Sequence, residues 1–281
     1  GSDVCNARCP FCISKMTPPL GIALKEPPPV NWRNFKKACT LARQGGTTTV
    51  MITGKGEPTL FPQQITAYLE AMLPFEFPLI ELQTNGIPLA DNPDADAWLQ
   101  RWYELGMTTI AISIVHYNNE TNRPIYLPHR SNYIDLPSLI NRIHAHGMDV
   151  RLVCTLVKDC IDSVDELKKL IEFARKNGVE QLTMRPVNKP CESRNREVSE
   201  WTAEHQLGPE KMNAIWEYLH QNGHPLMTTE YGAVIFDVGG QNVCLTNSLT
   251  IKPETTDIRQ LIFFPAGRLT YDWQYAGAIL L

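Results

Sequence analysis

The chain has 281 residues, of which 43% are hydrophobic, and a formal net charge of -4. This is enough for one large domain with a substantial core, and the slight acidity argues against a general nucleic-acid-binding surface. The sequence shows no apolar run long enough to span a membrane and no signal-peptide pattern, so we expect neither a membrane span nor secretion. Most of the eight cysteines are scattered, which favours a reducing compartment such as the cytoplasm.

Three cysteines lie close together near the start, at Cys5, Cys9 and Cys12. Cysteine thiolates are soft ligands that suit iron-sulfur clusters, zinc or copper(I). A full cage needs four ligands, so either a distant cysteine completes the set or the fourth position is held by something outside the protein. Ordinary buried thiols and a structural zinc site are the alternatives, although zinc ribbons normally pair two C-x2-C knuckles and only one is present.

After the cysteines, a proline-rich stretch over residues 17–30 predicts an extended surface connection. From there helical and strand patterns alternate, which predicts parallel β/α units with right-handed crossovers. The predicted helices cover residues 31–45, 63–73, 94–105, 136–146 and 163–177, the last with a capping box at Ser163 and Glu166. The predicted strands cover residues 47–53, 79–84, 108–115, 150–157 and 181–187, and the β-branched apolar run of the first is typical of a buried parallel strand.

Beyond Pro190 the alternation ends. Residues 191–206 are polar and charged, and we expect a mobile loop there. Residues 209–222 predict an amphipathic helix. Two β-hairpins are expected after it, one over residues 233–245 and one over residues 259–273.

The C-x3-C-x2-C spacing, with Phe11 where an aromatic residue is usual, resembles the signature of the radical S-adenosylmethionine (radical SAM) enzymes. In that family three cysteines hold three irons of a 4Fe-4S cluster, and the fourth iron chelates the amino and carboxylate groups of SAM. The resemblance therefore implies a 4Fe-4S cluster and SAM as cofactors, with Cys5, Cys9 and Cys12 as the metal ligands.

The resemblance also implies the architecture. The expected fold is α/β, a partial (β/α)6 TIM barrel over residues 1–190, followed over residues 191–281 by an extension that covers the substrate. The family places a strand directly before its cysteine loop, and the four residues before Cys5 are too few to supply one. We therefore expect native chain upstream of Gly1.

Two further motifs follow predicted strands, at the edge where parallel barrels place their active sites. Gly54 to Glu57 looks like the glycine-glycine-glutamate motif that binds the SAM amino group, with Lys55 in place of the first glycine of the pair. A plain strand-to-helix turn is the alternative. Thr84-Asn85-Gly86 resembles a threonine-asparagine-glycine run of the family, although the same residues also suit turn chemistry alone.

Single polar residues that interrupt or end apolar strands complete the predicted cofactor site. Ser113 and Thr155 each interrupt a strand, and a buried hydroxyl needs a partner. The residues that the resemblance implies for SAM are Phe11, Gly54, Gly56, Glu57, Ser113, Thr155, Met184 and Arg185, with the main chain around Met184 near the adenine. Arg185 alternatively meets an anionic substrate or forms a structural ion pair. The candidate substrate residues are Gln83, Asn85, His116, Arg130 and Lys158.

The C-terminal part adds weaker candidates. Asp237, Arg268 and Tyr271 are substrate-pocket candidates, with Tyr231 and Trp273. Cys160, Cys191 and Cys244 are too widely spaced to predict a second cluster and suit small buried hydrophobes better.

The resulting hypothesis is a radical SAM enzyme that acts on a small molecule, such as a nucleotide, sugar or biosynthetic intermediate. A reduced cluster passes one electron to SAM, and the 5'-deoxyadenosyl radical removes a hydrogen atom from the substrate. The expected electron donor is flavodoxin or ferredoxin, and no nucleic-acid or membrane partner is expected. The alternatives are a radical SAM enzyme that modifies a peptide or protein or activates a glycyl-radical partner, and a non-catalytic zinc-binding module.

Overall fold

The computed structural model describes residues 4–16, 27–189, 195–229, 232–246, 258, 260–272, 275 and 277–281. The helices are α1 (Ile13–Met16), α2 (Trp32–Gln44), α3 (Pro62–Met72), α4 (Ile87–Asp91), α5 (Ala95–Glu104), α6 (Asn119–Tyr126), α7 (Leu136–Ala145), α8 (Val164–Lys176), α9 (Arg196–His205) and α10 (Pro209–Asn222). The strands are β1 (Thr49–Ile52), β2 (Leu79–Thr84), β3 (Thr109–Ile114), β4 (Asp149–Leu156), β5 (Gln181–Pro186), β6 (His224–Thr228), β7 (Val234–Val238), β8 (Gln241–Leu245), β9 (Ile262–Phe263) and β10 (Leu269–Thr270).

One mixed sheet of eight strands organises the protein, in the order β1-β2-β3-β4-β5-β8-β7-β6. Strands β1 to β5 pair in parallel, and β8 pairs in parallel with β5. Strands β7 and β6 continue the sheet in antiparallel fashion. The predicted first hairpin is therefore present, and it extends the main sheet beside β5.

The second predicted hairpin is also present, as β9 and β10, and it lies elsewhere. It packs on the beginning of α2, where the Asn31 N–H donates to the Pro265 carbonyl at 2.8 Å. The rings of Phe35 and Phe263 meet edge to face, with centroids 5.1 Å apart. The C-terminal residues thus contact the fold near both ends of the parallel sheet.

The two faces of the sheet differ sharply in polarity. Side chains alternate along a strand, and paired positions on neighbouring strands share a face. On the outer face Ile110, Ile112 and Ile114 of β3 are fully buried in the main hydrophobic core. Each such side chain contributes roughly 1.5 to 3 kcal/mol by its burial.

The opposite face, here called the lumen face, carries polar and charged side chains between small or branched ones. The register aligns Gln83, Ala111, Arg151 and Gln181 in one row across β2 to β5. Because the carboxyl ends of all these strands meet at one edge, their polar side chains converge there. The polar residues of the lumen face on β2 to β5 include Glu81, Gln83, Ser113, Arg151, Thr155, Gln181, Thr183 and Arg185.

Residues 195–206 correct the prediction of a mobile loop, because α9 occupies most of them. Asn195 caps this helix by accepting from the Val198 N–H at 3.1 Å. Val198, Trp201 and Thr202 follow a helical spacing, which the high content of charged residues concealed. Residues 191–194 lie outside the described part of the chain.

Three smaller differences have simple causes. The sequence predicts a buried strand for β1, yet this strand alternates exposed and half-buried residues because it lies at an edge of the described sheet. Strand β6 was not predicted, and all its residues are exposed. Ser163 caps α8 as predicted, whereas the Glu166 carboxylate binds the Tyr117 hydroxyl at 2.9 Å and Lys169 at 2.6 Å.

No helix in the described ranges is long and apolar enough to cross a membrane.

Gly86 provides a test of the local packing at the end of β2. Its φ is +75°, and an added Cβ would lie 2.8 Å from the Leu139 side chain. We predict that Gly86→Ala lowers the free energy of unfolding by roughly 2 to 4 kcal/mol, because strain and a clash act together. Urea denaturation measures the change.

Gly46→Ala is the control for this substitution, since Gly46 has φ +77° with no heavy atom within 4 Å of the added Cβ. It carries the strain without the clash, and we expect a loss of about 1 kcal/mol. Equal losses in the two variants would contradict the packing argument.

Candidate active site

The loop with the three cysteines lies at the carboxyl edge of the sheet, held by main-chain hydrogen bonds at two points. The Glu57 N–H, in the turn after β1, donates to the Val4 carbonyl at 2.9 Å. The Arg8 N–H donates to the Tyr126 carbonyl at the end of α6, also at 2.9 Å. Two anchors on separate elements fix the loop over the ends of the strands.

Phe11 holds the second half of this loop by aromatic packing. Its ring meets Tyr126 edge to face, with centroids 6.3 Å apart, and lies 5.9 Å from the ring of Trp201 on α9. Edge-to-face aromatic pairs add roughly 0.5 to 1.5 kcal/mol beyond their buried area. In the structure Phe11 therefore has a packing role between the cysteines, α6 and α9.

The three thiols act on one another. Burial, together with the nearby Cys12 and Cys5, raises the pKa of Cys9 to about 12. Burial also raises the pKa of Cys5, with Glu57 and Cys12 contributing. Cys5 and Cys9 therefore keep their protons until a metal ion displaces them.

The donor chemistry fits an iron-sulfur cluster. Among the described residues, no group of three or more histidine, cysteine or acidic side chains is close enough to hold a single metal ion. In a 4Fe-4S cluster the three thiolates bind three different irons, so they need not meet at one point. The loop supplies three soft ligands on one short, anchored segment.

Glu57 is the central polar contact of the site. Its carboxylate is buried and accepts four hydrogen bonds: from the Thr59 N–H at 2.9 Å, the Thr59 and Thr84 hydroxyls at 2.6 Å each, and the Asn85 N–H at 2.8 Å. Burial raises the pKa of the carboxyl, and the hydrogen bonds act in the opposite direction. The side chain therefore joins the turn after β1 to the end of β2.

Asn85 carries this connection on to the cysteine loop. Its side-chain amide donates to the Asn6 side-chain oxygen at 2.7 Å, and the same nitrogen lies 3.9 Å from the Cys5 sulfur. Its own oxygen accepts from the Ile87 N–H at 3.0 Å, which fixes the side chain at the start of α4. The Thr84-Asn85-Gly86 run therefore positions the cysteine loop as well as forming a turn.

The structure brings four of the predicted side chains onto the lumen face near its carboxyl edge: Gln83, Ser113, Thr155 and Arg185. Thr155 and Arg185 are register partners on β4 and β5. Gly54, exposed, and Gly56, half-buried, follow β1 in the turn that Glu57 completes. These residues therefore lie at the carboxyl edge of the sheet, where the cysteine loop is also anchored.

A buried ion pair lies below them. Arg151 contacts Glu81 at 2.7 Å across the lumen, and its Nε donates to Gln181 at 2.7 Å. Gln83 donates to the same Glu81 carboxylate at 3.3 Å. The lower part of the lumen is therefore occupied by a paired network, and the open polar positions lie above it.

The Met184 side chain lies on the other face of the sheet. It is fully buried in the hydrophobic core, because it alternates with Arg185 along β5. Its main-chain carbonyl accepts from the Thr246 N–H, just after β8, at 3.0 Å. Contact of this main chain with the cofactor stays a prediction.

Three predicted substrate residues have other contacts. His116 accepts from the Asn118 N–H at 2.9 Å through Nδ1, and its Nε2 lies 3.4 Å from Glu166 on α8. Burial lowers the pKa of His116, and Glu166 raises it in part. Arg130 pairs with Asp91 at 2.9 Å on the surface.

The third, Lys158, is exposed, and its main-chain N–H donates to the His205 carbonyl of α9 at 2.8 Å. Among the weaker candidates, Asp237 accepts from the Gly240 N–H at 2.6 Å and so stabilises its own hairpin turn. Arg268 lies over the Phe264 ring at 4.7 Å, and Tyr271 is exposed. Tyr231, Trp273 and Cys191 lie outside the described part of the chain.

Sequence reasoning missed the residues that hold the site in place. Asn122 on α6 is fully buried, accepts from the Val115 and His116 N–H groups at 3.0 and 3.2 Å, and so fixes the chain as it leaves β3. Trp201 stacks on His205 at 3.9 Å and faces Phe11. For Trp201, the only available signal in the sequence was the helical spacing of residues 198–205.

The chain matches the family model of the radical SAM superfamily over residues 1–174, more than half of its length. It therefore belongs to the radical SAM superfamily and is an enzyme, which decides against the non-catalytic zinc module. The superfamily uses a 4Fe-4S cluster and SAM, so these are its cofactors. The reaction subtype is not fixed by this membership.

Individual relatives match more distantly. The GTP 3',8-cyclase of Aeromonas hydrophila is 29% identical over 117 residues, which cover 40% of this chain and 31% of the cyclase. SuiB of Streptococcus suis bound to S-adenosylmethionine aligns at a TM-score of 0.52 and 16% identity, over 78% of this chain and 46% of SuiB. The structure of anSMEcpe with bound AdoMet aligns at a TM-score of 0.53 and 13% identity, over 78% of this chain and 57% of anSMEcpe.

These structural likenesses confirm the predicted partial TIM barrel fold. The chain spans about a third of the cyclase and about half of the two solved structures.

The four hydrogen bonds of Glu57 predict a large effect on stability. Glu57→Ala leaves two buried N–H groups and two hydroxyls without their acceptor, and we expect the free energy of unfolding to fall by roughly 2 to 4 kcal/mol. Glu57→Gln keeps an oxygen for three donors but turns an NH₂ group toward the Asn85 N–H, so its loss should be intermediate. Chemical denaturation measures the order of stability of the wild type, Glu57→Gln and Glu57→Ala.

Glu70→Ala serves as the surface control, since Glu70 is half-exposed and pairs with Arg101 at 2.7 Å. A change of less than about 1 kcal/mol is expected there. If Glu57→Ala were no more costly than Glu70→Ala, the carboxylate would not hold these elements together.

Proposed function

We propose that Cys5, Cys9 and Cys12 hold the 4Fe-4S cluster and that SAM binds beneath it, against the turn after β1 and the carboxyl edge of the lumen face. The observation that carries this proposal is the connected series of hydrogen bonds from the cysteine loop through Asn85 to Glu57. It supports the proposal because it holds the loop of the three cysteines beside the glycine-rich turn. When bound, the cluster and SAM supply a 5'-deoxyadenosyl radical for hydrogen-atom abstraction.

The polar groups of this chain take distinct roles in the proposal. Because the Glu57 carboxylate already accepts four hydrogen bonds, its role is to shape the turn, and the main chain of Gly54 and Gly56 makes the contacts to SAM. The hydroxyls of Ser113 and Thr155 face the same space and hydrogen-bond the polar groups of the nucleoside. Preorganised donors and acceptors of this kind orient a cofactor at little reorganisation cost.

Helix α9 has the role of excluding water from the cysteine loop. Trp201 packs on Phe11, and the Lys158 and Lys189 N–H groups donate to His205 and Gln206 at 2.8 and 3.2 Å. The helix is thereby tied to the ends of β4 and β5. A reactive radical needs such a closed site, because water and stray hydrogen donors would quench it.

The substrate in this proposal is a small molecule that enters the lumen, and residues 191–281 form the extension that covers it. The polar character of the lumen face supports a polar substrate, and the cyclase relative acts on GTP by its name, which keeps nucleotides among the candidates. The donor of the electron is a flavodoxin or ferredoxin, and the compartment is the reducing cytoplasm. Neither nucleic acid nor membrane takes part.

Cys9→Ala tests the assignment of the cluster ligands. After anaerobic reconstitution with iron and sulfide, the wild type should show broad visible absorbance and, with dithionite, cleave SAM to 5'-deoxyadenosine. The variant should retain less than about a hundredth of the cleavage, since one iron loses its only protein ligand. Iron content, absorbance and the product are measured together.

Cys39→Ala is the control, because Cys39 is a buried thiol on α2 away from the loop. It should keep both cluster and SAM cleavage. SAM cleavage by Cys9→Ala at the rate of Cys39→Ala would refute the proposed ligand set.

A further inference from the structure

Arg185 is a charged side chain that the proposed cofactor site leaves unused. It lies on the lumen face of β5, one residue before the strand ends, and pairs in register with Thr155 on β4. Its Nε is buried and has no hydrogen-bond partner among the described residues. A guanidinium group has five N–H donors, and a buried donor without an acceptor costs free energy.

The charges around Arg185 do not balance it. Those that act on it are the carboxylate of Glu81, the guanidinium of Arg151 and the thiol of Cys244. Glu81 already pairs with Arg151 at 2.7 Å. Burial raises the pKa of Cys244 and keeps the thiol neutral. Two cations and one carboxylate therefore leave one positive charge over.

Burial lowers the pKa of Arg185, Glu81 offsets part of the decrease, and Arg151 adds to it. An arginine still keeps its proton under such conditions. Arg185 therefore remains a cation, which an anion from outside the chain would balance.

Building on the proposed function, we propose that Arg185 binds an anionic group of the substrate, a phosphate or a carboxylate. A guanidinium binds such groups through two parallel N–H donors. The paired Glu81 and Arg151 below form a floor that stops the anion from penetrating further.

The position of Arg185 favours the substrate over SAM as the source of the anion. The cysteine loop contacts the end of β2 through Asn85, and β5 lies three strands further along the sheet. At about 4.8 Å per strand this is roughly 14 Å along the sheet. This separation from the Asn85 contact favours the substrate over SAM as the source of the anion.

The test uses the full chain, purified without cluster, and inorganic pyrophosphate and succinate as probes. At constant ionic strength, at least one probe should raise the melting temperature of the wild type. The affinity of Arg185→Gln for that probe should be at least roughly tenfold lower than that of the wild type. This factor matches the loss of one charge-assisted hydrogen bond. Without a probe, Arg185→Gln should be as stable as the wild type or more so, because a half-buried cation whose Nε has no hydrogen-bond partner among the described residues is removed.

Arg101→Gln is the control for loss of one positive charge, since Arg101 is half-exposed and lies on the surface helix α5. It should respond to the probes like the wild type. No stabilisation of the wild type by either probe, or equal stabilisation of Arg185→Gln, would overturn the proposal. A lower stability of Arg185→Gln together with an unchanged probe response would identify a purely structural arginine.

A second measurement separates the two sources of the anion. Equilibrium dialysis of SAM against the cluster-loaded chain should give the same affinity for Arg185→Gln and the wild type. A SAM affinity that falls as far as that of the probe would assign Arg185 to the SAM carboxylate and overturn the substrate assignment. Because the probe experiment needs no cluster, it stands even if the proposed cofactor chemistry fails.

Discussion

The buried carboxylate of Glu57 is the contact on which the rest of the site depends. A buried acceptor of this kind is tolerated only where donors surround it, and here those donors come from two different turns. Its hydrogen bonds to Thr84 and Asn85 fix the end of β2, and its own N–H fixes Val4 at the start of the cysteine loop. One side chain therefore relates a glycine-rich turn, a strand end and the metal-ligand loop.

The sheet makes this arrangement possible because its outer face is apolar and its lumen face is polar. The outer face supplies the hydrophobic burial, with residues such as Leu152 fully buried, and so leaves the lumen face free to be polar. Polar residues on that face weaken the core little, since the helices do not pack against it. The chemistry is accordingly confined to one face and one edge, with the paired Glu81 and Arg151 beneath.

Much of this was predictable from the sequence, for identifiable reasons. The alternation of helix and strand periods gave most elements of residues 31–187, because each strand is strongly apolar on its outer face. The cysteine spacing indicated the family. The sequence could not show that the Glu57 carboxylate faces inward, because that depends on donors from residues 84–85. It also could not show that α9 forms, because the packing of this helix on Phe11 is a tertiary contact. Alternation did imply that Met184 and Arg185 face opposite ways.

Native-state amide hydrogen exchange at Thr59 and Asn85 tests the central claim most directly. Both N–H groups donate to the Glu57 carboxylate, at 2.9 and 2.8 Å. If this carboxylate fixes the site before any ligand binds, both amides should exchange as slowly as those in the middle of β3, through global unfolding only. Exchange at the rate of an exposed loop would show that the turn opens locally, and would contradict a preformed site.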